Sequence, residues 1–237
     1  MKAMLFAAGL GTRLKPFTDS HPKALAEVNG KTLLQHNITY LQRFGIRDVI
    51  VNVHHFADQI ENLLKENNGF GSHVVISDER SAVLETGGGL LKAKQYFGQE
   101  DSFLVMNVDV LTNLDLNRLI TAHAPENIAT LAVMQRQSSR HLLFDEQMFL
   151  CGWRNNATDE ERISFNKGAL DPFAFSGIQV LSQEIFSMPF EGKFSMIDVY
   201  LHFALQQCVK GFDHTGDIFI DVGKPESLVK AGELFTN

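Results

Sequence analysis

The sequence predicts an α/β fold: a Rossmann-like, mixed but mainly parallel sheet with helices on both faces, plus a small β-rich element. Three observations predict it. Apolar, β-branched runs alternate with helical patterns four times in the first half of the chain, the signature of a parallel sheet covered by helices. The helical patterns carry an apolar stripe on one face. After about residue 126 the alternation gives way to consecutive strand-like runs.

The elements follow in order. KAMLFAA (2–8) reads as a buried strand. In 31–45, Leu33, Leu34, Ile38, Leu41 and Phe44 fall mostly on one helical face, and Gly45 is a suitable stop. DVIVNV (48–53) is a second strand, and 56–69 is a helix with Phe56, Ile60, Leu63 and Leu64 inward. A strand at 73–77, a helix at 89–98, a strand at 102–108 and a helix at 116–123 complete the alternation. Strands then follow at 127–135, 141–144 and 148–153, a polar loop at 157–171 and a strong strand at 172–182. A helix is expected over 195–211 and a last strand over 217–223. Pro225 opens a final helix, as proline at a first turn often does. With no repeat, low-complexity tract or linker, residues 1–237 read as a single domain.

Composition narrows the function. The chain has 237 residues, of which 44% are hydrophobic, enough for an ample core. Its net charge of −7 disfavours nucleic acid as a partner. An acidic protein that binds anions must concentrate positive charge locally. Cys151 and Cys208 are too few for a disulfide framework and fit no metal-ligand spacing. No signal peptide is visible, and no apolar run approaches the ~18 residues of a membrane span, so a cytoplasmic setting without membrane partners is expected. A monomer is compatible with the sequence, which leaves the oligomeric state open. His54 and His55 follow the second strand, but adjacent histidines on a regular strand cannot both face one metal. The 19 phenylalanines are spaced as core and form no aromatic platform.

Positive charge is concentrated in AAGLGTRLKPFTDSHPKAL (7–25), directly after the first strand. Two common phosphate loops fail there on residue identity. The dinucleotide fingerprint needs a glycine where Leu14 stands, and the P-loop needs Lys-Ser/Thr where Thr12-Arg13 stand. The physical content survives. Glycines let backbone N–H groups approach a phosphate, Arg13 offers a planar charged fork, and Lys23 offers a mobile point charge.

This stretch resembles the signature of the sugar-1-phosphate nucleotidyltransferases, in which the loop wraps the triphosphate of an incoming nucleotide. The resemblance implies the nucleotide-diphospho-sugar transferase type of fold, with a nucleotide-binding half at about 1–125 and a sugar-binding half at about 126–237. It implies that Gly9, Gly11, Thr12 and Arg13 hold the β- and γ-phosphates and that Lys23 holds the α-phosphate. LETGGGLLKA (84–93) resembles the family's nucleobase border, so Glu85, Thr86, Gly87 and Gly88, with Ala7 and Ala8, would form the base pocket. VMNVDVLTN (105–113) carries Asn107, for the sugar, and Asp109, a metal ligand; Val108 stands where the family has glycine. DIFIDVGKP (217–225) supplies Asp221 as second metal carboxylate, for Mg2+. FAFSGIQV (173–180) would put Ser176 and Gly177 beneath the sugar. The family's Glu-Lys-Pro segment is missing, and Lys167 is a candidate substitute for its lysine.

The implied reaction joins an NTP to a sugar 1-phosphate, releasing pyrophosphate, with Arg13 and Lys23 as catalytic cations. ETGGG, FSGI and the missing Glu-Lys-Pro are most similar to the short N-acetylmuramate-1-phosphate uridylyltransferase subfamily, which uses UTP. A mannose-1-phosphate guanylyltransferase or a heptose equivalent is the alternative. Readings from other classes are a non-catalytic nucleotide-sugar binding module and a dinucleotide-dependent oxidoreductase, against which Leu14 weighs.

Overall fold

A computed structural model describes residues 1–165 and 168–235. Its strands are β1 (Ala3–Phe6), β2 (Glu27–Val28), β3 (Lys31–Thr32), β4 (Asp48–Val53), β5 (His73–Asp78), β6 (Ser102–Asn107), β7 (Val110–Thr112), β8 (Ala129–Met134), β9 (Arg140–Phe144), β10 (Leu150–Asn155), β11 (Glu160–Ile163), β12 (Asp171–Ser182), β13 (Val209–Asp213) and β14 (Phe219–Asp221). The helices are α1 (Leu33–Arg43), α2 (Ala57–Glu66), α3 (Glu85–Phe97), α4 (Leu116–Thr121), α5 (Met196–Ala204) and α6 (Pro225–Leu234).

Among the described residues, ten strands form one twisted sheet. Its parallel part runs β5-β4-β1-β6. The long strand β12 then pairs antiparallel with β6 along its second half and with β8 on its other edge, and β13 lies parallel to β8. The first residues of β12 pair with β9, from which β10 and β11 continue as an antiparallel ribbon. This is the mixed, mainly parallel core with an added β element.

Strand alternation splits the core in two. Met4, Ile50, Phe103 and Val105 point to the face covered by α3 and α5. Leu5, Val49, Val51, Leu104 and Met106 point to the face covered by α1, α2 and α4. Helix ends follow local chemistry. Thr32 caps α1 by accepting from the Gln35 N–H at 3.1 Å, Ser195 and Asp198 form a reciprocal capping box on α5, and Pro225 starts α6. Among the described residues, no helix is long and apolar enough to cross a membrane.

Four elements differ from expectation. The 195–211 segment is helical only to Ala204; Val209–Asp213 is a strand whose β-branched start pairs with β8. The polar stretch 157–171 contains β11, an exposed edge strand that a burial pattern does not reveal. The third helix begins at Glu85, so the glycine triplet lies inside it. The short β7–β14 ribbon joins residues more than a hundred positions apart and has no local signal for its pairing.

Candidate active site

The carboxyl ends of β1, β4, β5 and β6 converge on one edge of the sheet, where ligands of open α/β sheets bind. At that edge the chain leaves β6 through Asn107, Val108 and Asp109 and enters β7. Asp221 pairs in register with Val110, and the Val222 N–H donates to the Asp109 carbonyl at 2.8 Å. Asp109 and Asp221 therefore sit side by side. Val108 is buried and packs into the core beneath α1, while its carbonyl accepts from Asn37 Nδ2 at 2.8 Å.

Lys23 faces both aspartates. Its Nζ donates to Asp109 Oδ2 and lies 3.9 Å from Asp221 Oδ1, and the residue is only 9% exposed. Gly11 makes this approach possible. Its φ is +61°, and a Cβ there would lie 2.9 Å from the Thr18 methyl and 3.0 Å from Lys23 Cβ. Thr18 closes the turn through Oγ1 to the Gly11 carbonyl at 2.9 Å. Arg13 reaches the same point from the opening loop: a Cβ on Gly223 would meet Asp221 Oδ1 at 2.7 Å and Arg13 Nη2 at 3.0 Å. Burial, and then repulsion from Asp109, push the Asp221 carboxyl above its usual range against the pull of Lys23, Arg13 and Arg136. Two mutually repelling carboxylates with hard oxygen donors are a donor set that suits Mg2+.

Two cavities meet at this cluster. The first, about 300 Å3, ends on Lys23 and Asp109 and is walled by Ala7, Ala8, Gly9, Glu85 and Thr86. Its back is a buried polar chain. The Ala7 N–H donates to Asn52 Oδ1 at 2.7 Å, and Asn52 Nδ2 donates to Glu79 Oε1 at 2.7 Å. Glu79 is 1% exposed, and burial raises its carboxyl above the ordinary value. His54 bonds the Glu79 carbonyl through Nδ1 at 2.7 Å and so fixes this wall. Sequence reasoning missed Asn52 and Glu79. The one available signal was a polar residue inside the apolar run DVIVNV.

Gly87 and Gly88 do not line this cavity. Their N–H groups both bond the Phe194 carbonyl, and a Cβ on Gly87 would overlap the Phe194 ring and one on Gly88 the Gly192 carbonyl oxygen. They serve the close packing of α3 on residues 192–194, whereas Glu85 and Thr86 face the cavity. Ser176 and Gly177 also sit one layer deeper than expected. Ser176 is 1% exposed and bonds His214 Nε2 at 2.7 Å, and Gly177 (φ +70°) lies under Asn107, whose Nδ2 a Cβ would approach to 2.6 Å. Asn107 itself lines the first cavity. Lys167 lies outside the described residues.

The second cavity, about 900 Å3, begins at Arg13, Asp221 and Gly223 and extends past Arg136 and Arg140 to Trp153. Arg136 Nη2 donates to the Phe175 carbonyl at 3.0 Å, and its guanidinium lies 4.8 Å from the centre of the Phe219 ring. No local pattern in the sequence singles out Arg136, Arg140 or Trp153. They become neighbours only through the pairing of β12 with β8 and β9 and of β14 with β7. The whole arrangement can hold two anionic molecules, one on each side of a Lys–Asp–Asp cluster.

Known proteins match this chain along its length. The family model described as nucleotidyl transferase matches residues 2–144. The chain is 32% identical to N-acetylmuramate alpha-1-phosphate uridylyltransferase of Caulobacter vibrioides, over 97% of this chain and 94% of that one. It is 28% identical to D-glycero-alpha-D-manno-heptose 1-phosphate guanylyltransferase of Campylobacter jejuni, over 95% and 96%. Among solved structures, HddC from Yersinia pseudotuberculosis complexed with GMP-PN superposes with a TM-score of 0.77 at 25% identity, covering 99% of each chain.

Proposed function

The chain belongs to the nucleotidyl transferase family, as a sugar-1-phosphate nucleotidyltransferase, and on that premise we propose that its substrates are UTP and N-acetylmuramate 1-phosphate. The nucleoside occupies the smaller cavity and the sugar phosphate the larger. A phosphate oxygen of the sugar 1-phosphate attacks the α-phosphorus in line; the new P–O bond forms as the bond to the β-phosphate oxygen breaks, and pyrophosphate leaves. The products are a UDP-sugar and pyrophosphate.

The main barrier is repulsion between two polyanions. Lys23, held between Asp109 and Asp221, is placed to draw the α-phosphate to the boundary of the cavities, and Arg13 to take charge on the departing pyrophosphate. Asp109 and Asp221 would hold Mg2+, which supplies Lewis-acid stabilisation of the phosphate oxygens when bound. Side-by-side orientation of the substrates contributes much of the remainder. The chemistry needs no covalent nucleophile.

One observation carries this reading: Lys23, Asp109 and Asp221 meet where the two cavities adjoin. Guanylyl transfer to a heptose or mannose 1-phosphate is the second reading, drawn from the Campylobacter relative and the GMP-PN complex. Pyrophosphate release across four NTPs and a panel of sugar 1-phosphates separates them. UTP with N-acetylmuramate 1-phosphate is expected to give the highest kcat/KM; a GTP-dependent optimum selects the second reading. Binding of both substrates with no release anywhere selects a non-catalytic module.

A further inference from the structure

Resting on that transferase reading, we propose that His214, buried behind the larger cavity, is a positioning residue for the reaction: through Ser176 it holds Arg136 where the phosphate of the sugar 1-phosphate lies.

Arg136 is the group through which it acts. Arg136 lines the larger cavity beside Asp221. Its buried Nε has no hydrogen-bond partner, and among the described residues no ion pair engages its guanidinium. An anionic ligand supplies what this fork lacks. Two contacts set the guanidinium: the Phe175 carbonyl, 3.0 Å from Nη2, and the Phe219 ring, whose centre is 4.8 Å away.

His214 stands behind both contacts. Its Nε2 lies 2.7 Å from the Oγ of Ser176, the residue after Phe175, and its ring centre lies 6.3 Å from that of Phe219. The same segment holds the backbone that leads into Arg136. The His214 N–H donates to the Val133 carbonyl at 2.9 Å, and the Gln135 N–H donates to Thr215 Oγ1 at 2.8 Å. β12 needs a pin at this point, because its register against β8 shifts between Phe175 and Gln179 and the regular ladder is interrupted.

The polar chemistry suits a fixed pin. Ser176 and His214 are 1% and 2% exposed, so their hydrogen bond is not traded with solvent. Burial holds the imidazole below its ordinary titration range, against the pull of Asp217 and Asp213, so the ring is neutral at pH 7. A neutral imidazole has one donor and one acceptor. Asp217 Oδ2 lies 3.5 Å from Nδ1 and favours the proton there, which leaves Nε2 to accept from the Ser176 hydroxyl. Neither Ser176 nor His214 lines either cavity, so neither touches substrate.

The test uses Ser176→Ala, which removes one oxygen, with His214→Leu and with His214→Gln, whose amide oxygen can accept in place of Nε2. Ser176→Ala and His214→Leu should each lower kcat/KM for N-acetylmuramate 1-phosphate about tenfold or more and leave the KM for UTP unchanged, as a small misplacement of a phosphate-binding group would. His214→Gln should regain much of the loss. In an Arg136→Gln background, Ser176→Ala and His214→Leu should cost less than about twofold further. Trp153, the single tryptophan, lines the same cavity, so its fluorescence reports occupancy without turnover. The sugar phosphate should perturb it at about tenfold higher concentration in Ser176→Ala than in wild type. An unchanged kcat/KM in Ser176→Ala with turnover intact, an equal rise in the KM for UTP, or a full effect that persists in the Arg136→Gln background overturns the positioning role and leaves the transferase reading. A fluorescence shift that depends on Ser176 only when Arg136 is present, with no pyrophosphate from any pair, overturns the transferase reading and keeps the positioning role.

Discussion

The cavity of about 300 Å3 at the ends of β1, β4 and β6 and the cavity of about 900 Å3 between β9, β12 and α6 share one charged cluster. They differ in construction. The smaller is shaped by backbone: small residues in the opening turn, and behind them a buried chain of hydrogen bonds through Asn52 to Glu79. Its polar groups mostly satisfy one another. The larger is shaped by long cationic side chains without ion-pair partners among the described residues. One wall is set by packing, so changing it costs stability. The other is set by charge, so changing it alters selectivity. A nucleotide site built the first way suits a constant substrate, and a sugar site built the second way can be retuned by single substitutions.

The largest expected effect lies where the cavities join. Asp109→Asn or Asp221→Asn should each lower kcat for pyrophosphate release by roughly a thousandfold, in keeping with the loss of charge stabilisation at the reacting phosphates. Melting should show the fold retained. An effect confined to the KM of one substrate would mean that the cluster belongs to one cavity only. Next, Arg136→Gln should cost about a hundredfold in kcat/KM for the sugar phosphate while changing the KM for UTP little, since Arg136 lines the larger of these two cavities and not the smaller. An equal rise in the KM for UTP would blur the distinction.

Packing changes around the smaller cavity should act differently. In Gly88→Ala the new Cβ overlaps the Gly192 carbonyl oxygen, a backbone atom that cannot swing aside. About 1–3 kcal/mol of destabilisation is expected, read as a fall of several degrees in Tm. The KM for UTP should rise as Glu85 and Thr86 shift. The smallest effect concerns pH. Burial holds the Glu79 carboxyl above its ordinary value of 4.5, so folding opposes its ionisation. Below 4.5 the group is protonated whether folded or unfolded and costs nothing. As pH rises through the raised folded value, the penalty develops fully. The Tm of Glu79→Gln minus that of wild type should therefore increase with pH above 4.5; a flat difference would show that Asn52 compensates the buried charge completely.

The same contrast explains what the sequence revealed. Asp48–Val53 is legible because a parallel strand buried on both faces reads as a continuous β-branched run. Gly11, Arg13 and Lys23 are legible because the opening turn is local and its residues lie within thirteen positions of one another. Asp109 and Asp221 were legible only through the resemblance, since the ribbon that pairs them spans more than a hundred residues. Glycine identity alone misled for Gly87 and Gly88. A glycine that admits a ligand and one that admits a neighbouring loop look alike until Phe194 is seen above it. Ser176 is a related case: it lies where the β12–β8 register shifts, between Phe175 and Gln179, and its hydroxyl bonds His214, an irregularity that no local sequence pattern marks. Arg136 and Arg140 look like surface residues in a polar stretch. Their shared cavity exists only after β8, β9 and β12 have paired.

The most direct test of a cluster that serves two filled cavities at once is the initial rate of pyrophosphate release, with UTP and sugar 1-phosphate varied together. Direct attack across the Lys23–Asp109–Asp221 cluster gives intersecting double-reciprocal lines and no release from UTP alone. Parallel lines, or a burst of pyrophosphate with UTP before any sugar phosphate is added, would reveal a nucleotidyl-enzyme intermediate and contradict it.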